Sequence, residues 1–510
     1  MASKRDGDWV AWLRVWLILG LALSLVSLLG VAAVVWVRQV HLPPAPTPLV
    51  TPERPPAKQR AGGGLNRYVT KVPDAAVRRL FEDQFRAAEA NYRDNPDVRV
   101  RPGVIADRQA RTVEVLAVAC GARAGDPTEF LLVTEAGRAD EALALTLAQA
   151  RDIHEALVFV GVQPGHPVDV TRFRQWPKGE RVDVFFVWPH ADKDVSVPAA
   201  EMLVDTHRGA TVPPHGWMFV GELTPAVPPA AYLPDDSGEI ITDFNSPWTV
   251  LDVPDLIGKG EVYGGLLPNP KYLLKLRQPL KIVLKPELPA GERHVLDYAV
   301  RAGAAAGAPA ATGVAELRFT ATDRDGKAVL TDGTFEQLLA LLEDGVKAQK
   351  DVYLKLAYDD QVPVAALVEF GPLLMTLVQK QAVRLEPDPD QLFGQAFTPD
   401  PAWRDPKQRP QQPVELHLAA AGPLRLRYFD EEFLRDGSLK VDEKSQEFAS
   451  ADALEQALAA REVWGTGGVL FFAPPDTAYG TVRQLYLRIR NRFPIAHVFL
   501  TEPPPPAPAP

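Results

Sequence analysis

The chain has 510 residues, which exceeds one ordinary domain and predicts about two to four. Charged residues make up 24% of the sequence and hydrophobic residues 46%, a composition typical of folded rather than disordered protein. The net charge of -10 argues against broad binding to nucleic acid phosphates, which needs a basic face. The single cysteine, Cys120, excludes an internal disulfide and any cysteine-built zinc or iron–sulfur site. Cys120 continues the apolar run VEVLAVAC, so we expect a small core residue there.

The N-terminal segment Val15–Val37 predicts a transmembrane helix. It contains 23 residues without a charge. As a helix these span roughly 34 Å, enough to cross a bilayer core of about 30 Å. Trp12, Trp16 and Trp36 lie near its two ends, where indole rings favour the membrane interface. The run ends in VVWVRQV rather than at a small-residue cleavage site, which favours an uncleaved anchor.

The charges around this segment predict its orientation. Lys4, Arg5 and Arg14 precede it, whereas Arg38 is the basic residue close behind. Basic residues stay on the cytoplasmic side, so we expect a cytoplasmic N-terminus and a single pass through a bacterial inner membrane. The body of the protein is then periplasmic.

The remaining sequence predicts a multi-domain α+β fold: a strand-dominated α+β domain and two small duplicated α/β domains behind the one transmembrane helix. Proline- and glycine-rich stretches separate the regions. The predicted boundaries are 9–38 for the anchor, 39–66 for a stalk, 67–97 for an amphipathic helix, 98–288 for the α+β domain, 302–313 for a linker, 314–387 for the first small domain, 388–412 for a Pro-rich linker, 413–502 for the second small domain and 503–510 for a Pro-rich tail.

The two small domains have the same predicted order of elements, which indicates an internal duplication. Each reads as two strands, a helix, an apolar strand, a turn, a second helix and a last strand. The apolar strands are Tyr353–Ala357 and Leu470–Ala473, and we expect both to be buried. Pro474 and Pro475 must end the second of these strands because proline donates no ladder hydrogen bond. Asp476 or Thr477 is then expected to cap a helix that begins near Tyr479.

The repeated unit resembles the exported domain of the ExbD/TolR family of membrane-anchored proteins. The resemblance implies docking of partner proteins, strands or cell-wall material. Energised members of the family carry an Asp in their membrane helix, and Val15–Val37 contains none, so proton-driven work is not expected. The residues that carry the resemblance are Asp359, Val362, Pro363 and Val364 in the first copy and Asp476, Tyr479, Gly480 and Val482 in the second, and we take Asp359, Pro363, Asp476 and Tyr479 as candidate binding residues.

Residues 98–288 resemble the YdjY-like domain. The motifs EFLLVTE, RDIHEALVFVGVQPG, VDVFFVW, AAEMLVD, GWMFVGE, DDSGEIITDF and PLKIVLKPEL occur in the order and spacing of that family. The family pattern tends to have a His before the residue corresponding to Glu141, where this chain has Asp140. The resemblance carries no biochemical function to particular residues.

Two residues of this domain are candidates for chemistry. His154 is followed by Glu155 on a predicted helix, but the second His of a His-Glu-x-x-His zinc motif is absent, so a capped or solvated histidine is the alternative to a metal ligand. Trp217, in WMFVGE, either forms a ligand platform or packs within a buried strand. No catalytic constellation and no cofactor-binding motif is evident.

These features predict a non-enzymatic envelope protein, anchored in the membrane, with exported binding or docking domains in a biopolymer-transport-like or envelope assembly. An envelope protein or cell-wall material is the expected partner, nucleic acid is not, and homo-oligomer formation stays open. No cofactor is expected. The alternative is a metal-binding or enzymatic protein that acts through the YdjY-like domain.

The predicted topology can be tested with a reporter fused after Pro510. A reporter that is active only after export should be active, because the basic residues hold the N-terminus in the cytoplasm. A reporter that folds only in the cytoplasm, fused at the same residue, serves as the matched control. Activity of that control alone would contradict the predicted orientation.

Overall fold

The computed structural model describes most of the chain after residue 72. The anchor Val15–Val37, the stalk at 39–66 and the tail at 503–510 lie outside the described residues. Over the part that is described, no helix is both long and apolar enough to cross a bilayer. The described ranges are 73–169, 174–221, 232–262, 264–304, 313–380, 383–399, 403–404, 413–419, 423–433, 439–459 and 468–501.

Helix α1 (Ala75–Tyr92) opens the described chain. The Asp74 side chain accepts hydrogen bonds from the backbone N–H groups of Ala76 and Val77, each at 3.0 Å, so it caps the helix. Val77 and Phe81 pack into the core of the α+β domain. Tyr92, the last residue of the helix, is 39% exposed.

The α+β domain is built on one large mixed sheet. Its other helices are α2 (Ala150–Phe159), α3 (Leu233–Ser237) and α4 (Lys259–Val262). The strands are β1 (Val98–Arg101), β2 (Val104–Asp107), β3 (Thr112–Ala119), β4 (Phe130–Val133), β5 (Ala142–Leu145), β6 (Arg181–His190), β7 (Lys193–Pro198), β8 (Leu203–Asp205), β9 (Ala210–Thr211), β10 (Trp217–Phe219), β11 (Glu239–Thr242), β12 (Leu251–Asp252), β13 (Leu266–Pro268) and β14 (Pro279–Pro286).

The strand order of the large sheet is β1-β2-β3-β14-β6-β10-β12-β11-β4-β5, with β7 on β6. An additional pairing of β3 with β5 returns the path to an earlier strand, so the sheet from β3 to β5 closes on itself. Alternate residues of β6 and β14 point into one core, Val184 and Phe186 from the first and Ile282 and Leu284 from the second. Cys120, at the end of β3, packs against this core, and its burial raises the thiol pKa to about 12.

Two five-stranded mixed sheets follow, and their strand orders are β17-β16-β15-β18-β19 and β22-β21-β20-β23-β24. The first has β15 (Val295–Ala304), β16 (Leu317–Thr322), β17 (Ala328–Gly333), α5 (Phe335–Lys347), β18 (Asp351–Tyr358), α6 (Val364–Gln379) and β19 (Arg384–Glu386). The second has β20 (Val414–His417), β21 (Leu424–Phe433), β22 (Leu439–Phe448), α7 (Ala451–Ala459), β23 (Gly468–Ala473), α8 (Tyr479–Ile489) and β24 (Ile495–Leu500).

The two sheets are equivalent strand by strand, so the chain contains an internal duplication. In each, the first strand pairs antiparallel with the second and parallel with the strand after the first helix. The last two strands are parallel in both, as the helical crossovers require. A merged sheet or two different strand orders would have contradicted the duplication, and neither is observed.

The structure adds one strand to each copy. Val295–Ala304 forms the first strand of the first sheet, so residues 302–304, predicted to begin a linker, pair with β16 and β18 instead. In the second copy the added strand is β22. The Ala- and Gly-rich composition after Arg301 resembled a linker, but small residues fit this central strand, where Ala302 is fully buried.

The strand–turn–helix corners follow the sequence prediction except at their caps. Leu470 to Ala473 are buried in an interior strand, and α8 begins at Tyr479. Asp476 and Thr477 do not cap it: the residue before the helix is Ala478, and no side chain caps α8. Helix α6 likewise begins after Pro363 without a side-chain cap.

Backbone carbonyls of the opposite copy take the place of these caps. Val364 N–H donates to Thr477 O at 2.8 Å, and Tyr479 N–H donates to Val362 O at 2.7 Å. These two bonds are equivalent, since Val364 and Tyr479 are the first residues of their helices. Such N–H groups have no partner within a helix, so the pairing satisfies donors that would otherwise be unpaired.

A second pair of bonds repeats the pattern one residue further into each helix. Ala365 N–H donates to Pro475 O at 3.1 Å, and Gly480 N–H donates to Asp360 O at 2.9 Å. A Cβ atom on Gly480 would lie 2.7 Å from the Asp360 Cβ, so glycine is what permits this approach. The two corners therefore form an antiparallel contact related by a local pseudo-two-fold axis.

The segment predicted as a linker at 388–412 is partly built into this contact. Leu392 and Phe397 are 2% and 1% exposed and belong to a core that both copies share. The Tyr479 hydroxyl accepts from Leu392 N–H and donates to Gln391 Oε1, both at 3.0 Å. Proline content suggested an extended spacer, but the apolar residues between the prolines fill the gap between the copies.

The first small domain docks onto the α+β domain through a charged contact. The Arg181 guanidinium makes two hydrogen bonds to the Asp351 carboxylate, at 3.0 and 2.9 Å. Arg384 Nη1 lies 3.0 Å from the same carboxylate. The Tyr353 hydroxyl donates to Pro177 O at 2.6 Å, and the Asp351 and Arg384 side chains are 7% and 8% exposed. The contact is thus a largely buried charge network between two domains.

Replacing Asp351 by asparagine should destabilise the folded body by about 3 kcal/mol, since two guanidinium groups would lose their shared charge partner in a poorly solvated site. Asp344→Asn is the matched control because its side chain is 79% exposed and its one ion pair is a surface contact. Urea unfolding followed by tryptophan fluorescence measures both. Equal unfolding midpoints for the two variants would contradict the importance of this network.

Candidate ligand-binding cleft

A cleft of about 140 Å³ lies on the α+β domain, on the side of strand β6 that faces away from the core. Along β6 the buried residues alternate with half-buried ones, and Asp183 and Phe185 are on the half-buried side. The side chains that matter for chemistry are Asp183, Phe185, His215, Trp217 and Glu287.

The sheet register brings these residues together. Asp183 lies opposite Lys285 on β14, and Glu287 follows the end of that strand, where its N–H donates to Arg181 O at 3.1 Å. Trp217 lies opposite Val182 on the other side of β6. A Cβ atom at Gly216 would lie 2.5 Å from Glu287 Oε2, so glycine there leaves room for the carboxylate. Three strands far apart in sequence thus build one site.

His215 also lines the cleft, but its Nε2 is buried rather than open to the cleft. Its Nδ1 lies 3.0 Å from Pro213 O, and since a carbonyl only accepts, Nδ1 carries the proton. Nε2 is buried and has no hydrogen-bond partner among the described residues. Burial lowers the pKa of His215, so the imidazole is neutral at pH 7 and Nε2 is an acceptor. The ring lies 4.4 Å from the Trp217 ring, between centroids.

Two carboxyl groups complete the cleft. Burial, together with the nearby Glu287 charge, raises the pKa of Asp183. The pKa of Glu287 is lowered by a contact with His294, whose Nε2 lies 3.3 Å from Glu287 Oε2. Strongly different environments for two neighbouring carboxyl groups are typical of binding and catalytic sites.

Trp217 is both a core residue and a wall of the cleft. It is 2% exposed, and its indole N–H donates to Thr242 O at 3.2 Å. The two readings of this residue, platform and buried strand, are therefore compatible. Its indole donor is already used and is not available to a ligand.

His154 lies elsewhere, within the core beneath the cleft-bearing sheet. It is 3% exposed, and its Nδ1 lies 3.0 Å from the Tyr232 hydroxyl. Burial, assisted by Arg151, lowers its pKa to about 4. Its ring packs against Phe219, with centroids 4.8 Å apart. This environment is that of a packed, neutral histidine, and over the described ranges no group of three or more His, Cys, Asp or Glu is arranged to hold a metal.

The candidate residues of the small domains serve the contact between the copies or stand near it. Asp359 forms an ion pair with Arg301. Pro363 lies opposite Ala478 in the antiparallel contact. Tyr479 is fully buried and holds the segment after the first copy, whereas Asp476 is exposed in its turn.

Sequence reasoning missed most of the cleft. Asp183 was available as a carboxylate that interrupts the apolar run RVDVFFVW, an arrangement that is costly unless the side chain faces water or a partner. Glu287 gave no local signal, because only the strand register places it beside Asp183. His215 has no ligand-like spacing to another histidine.

Two further carboxyl groups, also missed, are buried in the domain core. Asp243 and Asp252 are 3% and 0% exposed, and each has one buried oxygen without a hydrogen-bond partner in the described structure. Asn245 and the Val253 N–H bind the other oxygen of Asp252, at 3.3 and 2.8 Å. Desolvation raises the pKa of both groups, that of Asp243 to about 8.

These observations define a multi-domain α+β protein with a small, acceptor-rich cleft on its large sheet. Residues 104–251 match the family model of the YdjY domain, which confirms the resemblance over that range. The matched range includes Asp183, His215 and Trp217 but not Glu287. No curated protein matches the chain.

The buried Asp243 predicts a pH dependence of stability. The pKa of Asp243 is about 8 in the folded protein and 3.8 ordinarily. Its contribution to the free energy of unfolding is therefore greatest below about pH 4 and is lost as the pH rises towards 8. Asp243→Asn should therefore raise Tm by a few degrees at pH 8 relative to the unmodified chain, and by less at pH 5. Asp236→Asn, at an exposed position, is the control. If Tm changes with pH in the same way in all three proteins, the raised pKa of Asp243 is contradicted.

Proposed function

We propose that the protein is a membrane-anchored envelope protein whose periplasmic body binds a small ligand or a partner without catalysing a reaction. The observation that carries this proposal is the cleft beside Trp217. It combines aromatic residues with two carboxyl groups that are open to solvent, and ligand sites commonly pair apolar walls with a few polar groups. The uncharged segment Val15–Val37 and its basic flank support the anchor and its orientation.

The two small domains support a docking role, although part of the surface expected to dock partners is used in the contact between the copies. Their element order is compatible with the resemblance to ExbD/TolR exported domains. Of the residues expected to bind outside partners, Pro363 and Tyr479 lie in the contact with the other copy, and the Tyr479 N–H donates to Val362 O. We infer that the pair acts as a preassembled scaffold, which holds the α+β domain through Asp351.

The alternative is a metal-binding or enzymatic protein that acts through the same domain. A histidine and two carboxyl groups, His215, Asp183 and Glu287, line one cleft, although no group of such residues in the described structure is arranged to hold a metal. Histidine nitrogen and carboxylate oxygen are ligands for zinc and related metals.

Elemental analysis of the full-length chain, purified in detergent without chelator, separates the two proposals. The binding function predicts metal well below one equivalent per chain. His215→Ala and the control His190→Ala, at an exposed position, should then give the same metal content. One equivalent of metal that is lost in His215→Ala and kept in His190→Ala would overturn the proposal in favour of the alternative.

A further inference from the structure

The loop at residues 270–278, which connects β13 to β14, turns two leucine side chains outward. Leu273 is 44% exposed and Leu276 is 50% exposed. Between them, Leu274 points the other way and packs against the core of the α+β domain. A single exposed leucine is common on a protein surface, but two within four residues form a small apolar patch that water solvates poorly.

The backbone of the loop is held in one position by the end of β3. The Arg277 N–H donates to Ala119 O at 2.8 Å, and the Ala119 N–H in turn donates to Gln278 O at 2.9 Å. A Cβ atom at Gly121 would lie 2.8 Å from the Leu276 Cβ, so the loop packs closely on the chain that follows β3. The outward direction of the leucines is therefore built into the fold.

Lysines flank the exposed leucines. Lys271 and Lys275 are both exposed, and Lys275 forms no ion pair among the described residues. Lys271 Nζ lies 4.7 Å from the centroid of the Tyr272 ring. The carboxylate that faces Lys271, that of Glu201, accepts a hydrogen bond from the Tyr272 hydroxyl at 3.1 Å. The outer side of the loop thus presents apolar groups and positive charge together.

The loop adjoins the point where the described chain begins. Arg277 Nη1 lies 2.6 Å from the carboxylate of Asp74, the residue that caps α1. The predicted anchor Val15–Val37 and the predicted stalk at 39–66 precede this point in the sequence. A tether raises the effective concentration of the body at the membrane, so a weak contact is enough to seat the loop there.

We propose that the 270–278 loop rests on the anionic surface of the membrane that anchors the protein. Leu273 and Leu276 enter the head-group region, and the ammonium groups of Lys271 and Lys275 lie on lipid phosphates. Apolar side chains and lysines divide in this way at a bilayer surface, since the former leave water and the latter are attracted by anionic lipid. The inference rests on the membrane anchor proposed above and adds a second contact with the same membrane.

Fluorescence quenching on the full-length chain, reconstituted in vesicles, tests this contact. Leu276→Cys is labelled with an environment-sensitive dye, and the vesicles contain a lipid with a nitroxide near its head group. The native thiol of Cys120 stays unlabelled because burial raises its pKa to about 12. Leu373→Cys is the matched control, since Leu373 is 43% exposed and no lysine or arginine lies within six positions of it.

In vesicles of phosphatidylcholine with about one third phosphatidylglycerol, the label at 276 should be quenched at least about threefold more than the label at 373. This excess should be lost in pure phosphatidylcholine, and also when Lys271 and Lys275 are both replaced by glutamine, because the attraction to anionic head groups is then absent. Lys347→Gln, at a side chain that is 70% exposed, is the charge control and should leave quenching unchanged. Leu273→Cys provides a second labelled position if Leu276→Cys does not fold.

Equal quenching at 276 and 373 would overturn the inference, and so would quenching at 276 that is the same in both kinds of vesicle or insensitive to the lysine changes. A label at 276 that is shielded from water but not quenched by lipid would overturn it in favour of a protein contact. A carbonate wash of the vesicles distinguishes this failure from failure of the proposed function. A chain that withstands the wash without quenching at 276 keeps its anchor and loses this contact, whereas a chain that the wash removes has no anchor.

Discussion

The arrangement of the C-terminal half depends on four backbone hydrogen bonds between residues 360–365 and 475–480. Helices α6 and α8 have no capping side chain, and each receives carbonyl oxygens from the other copy at its first two residues. This exchange brings the two sheets into one hydrophobic core. The contact between the copies also fixes the segment around Leu392, whose backbone N–H donates to the Tyr479 hydroxyl. The two small domains therefore share one hydrophobic core.

Strand β6 connects this structure to the candidate cleft. Arg181 and Asp183 lie two residues apart and so on the same side of the strand. The first extends to Asp351 of the first small domain, and the second lines the cleft. Glu287 bridges the same region, since its N–H is bound by the Arg181 carbonyl. The domain contact and the cleft therefore share one strand.

The sequence was sufficient for features that local chemistry determines. The buried strand at Leu470, the helix start at Tyr479 and the repeated order of elements all follow from periodicity and proline positions. It was insufficient where the decisive partner is distant. The cap expected from Asp476 is replaced by carbonyls of the first copy, strand β15 resembles a linker until its neighbours are known, and Glu287 joins Asp183 only through the register of β14 with β6.

Joining the two copies in one chain has a consequence for how they diverge. In a dimer of identical chains each substitution at the interface occurs twice, so it must be compatible with both subunits. Here a substitution occurs once. Arg483 of the second copy binds Asp360 of the first at 3.0 Å, and the equivalent positions on the other side, Val368 and Pro475, carry no such charges. Because the two copies are covalently linked, their sequences can differ permanently. The first copy contacts the α+β domain, and the second copy can change independently of that contact.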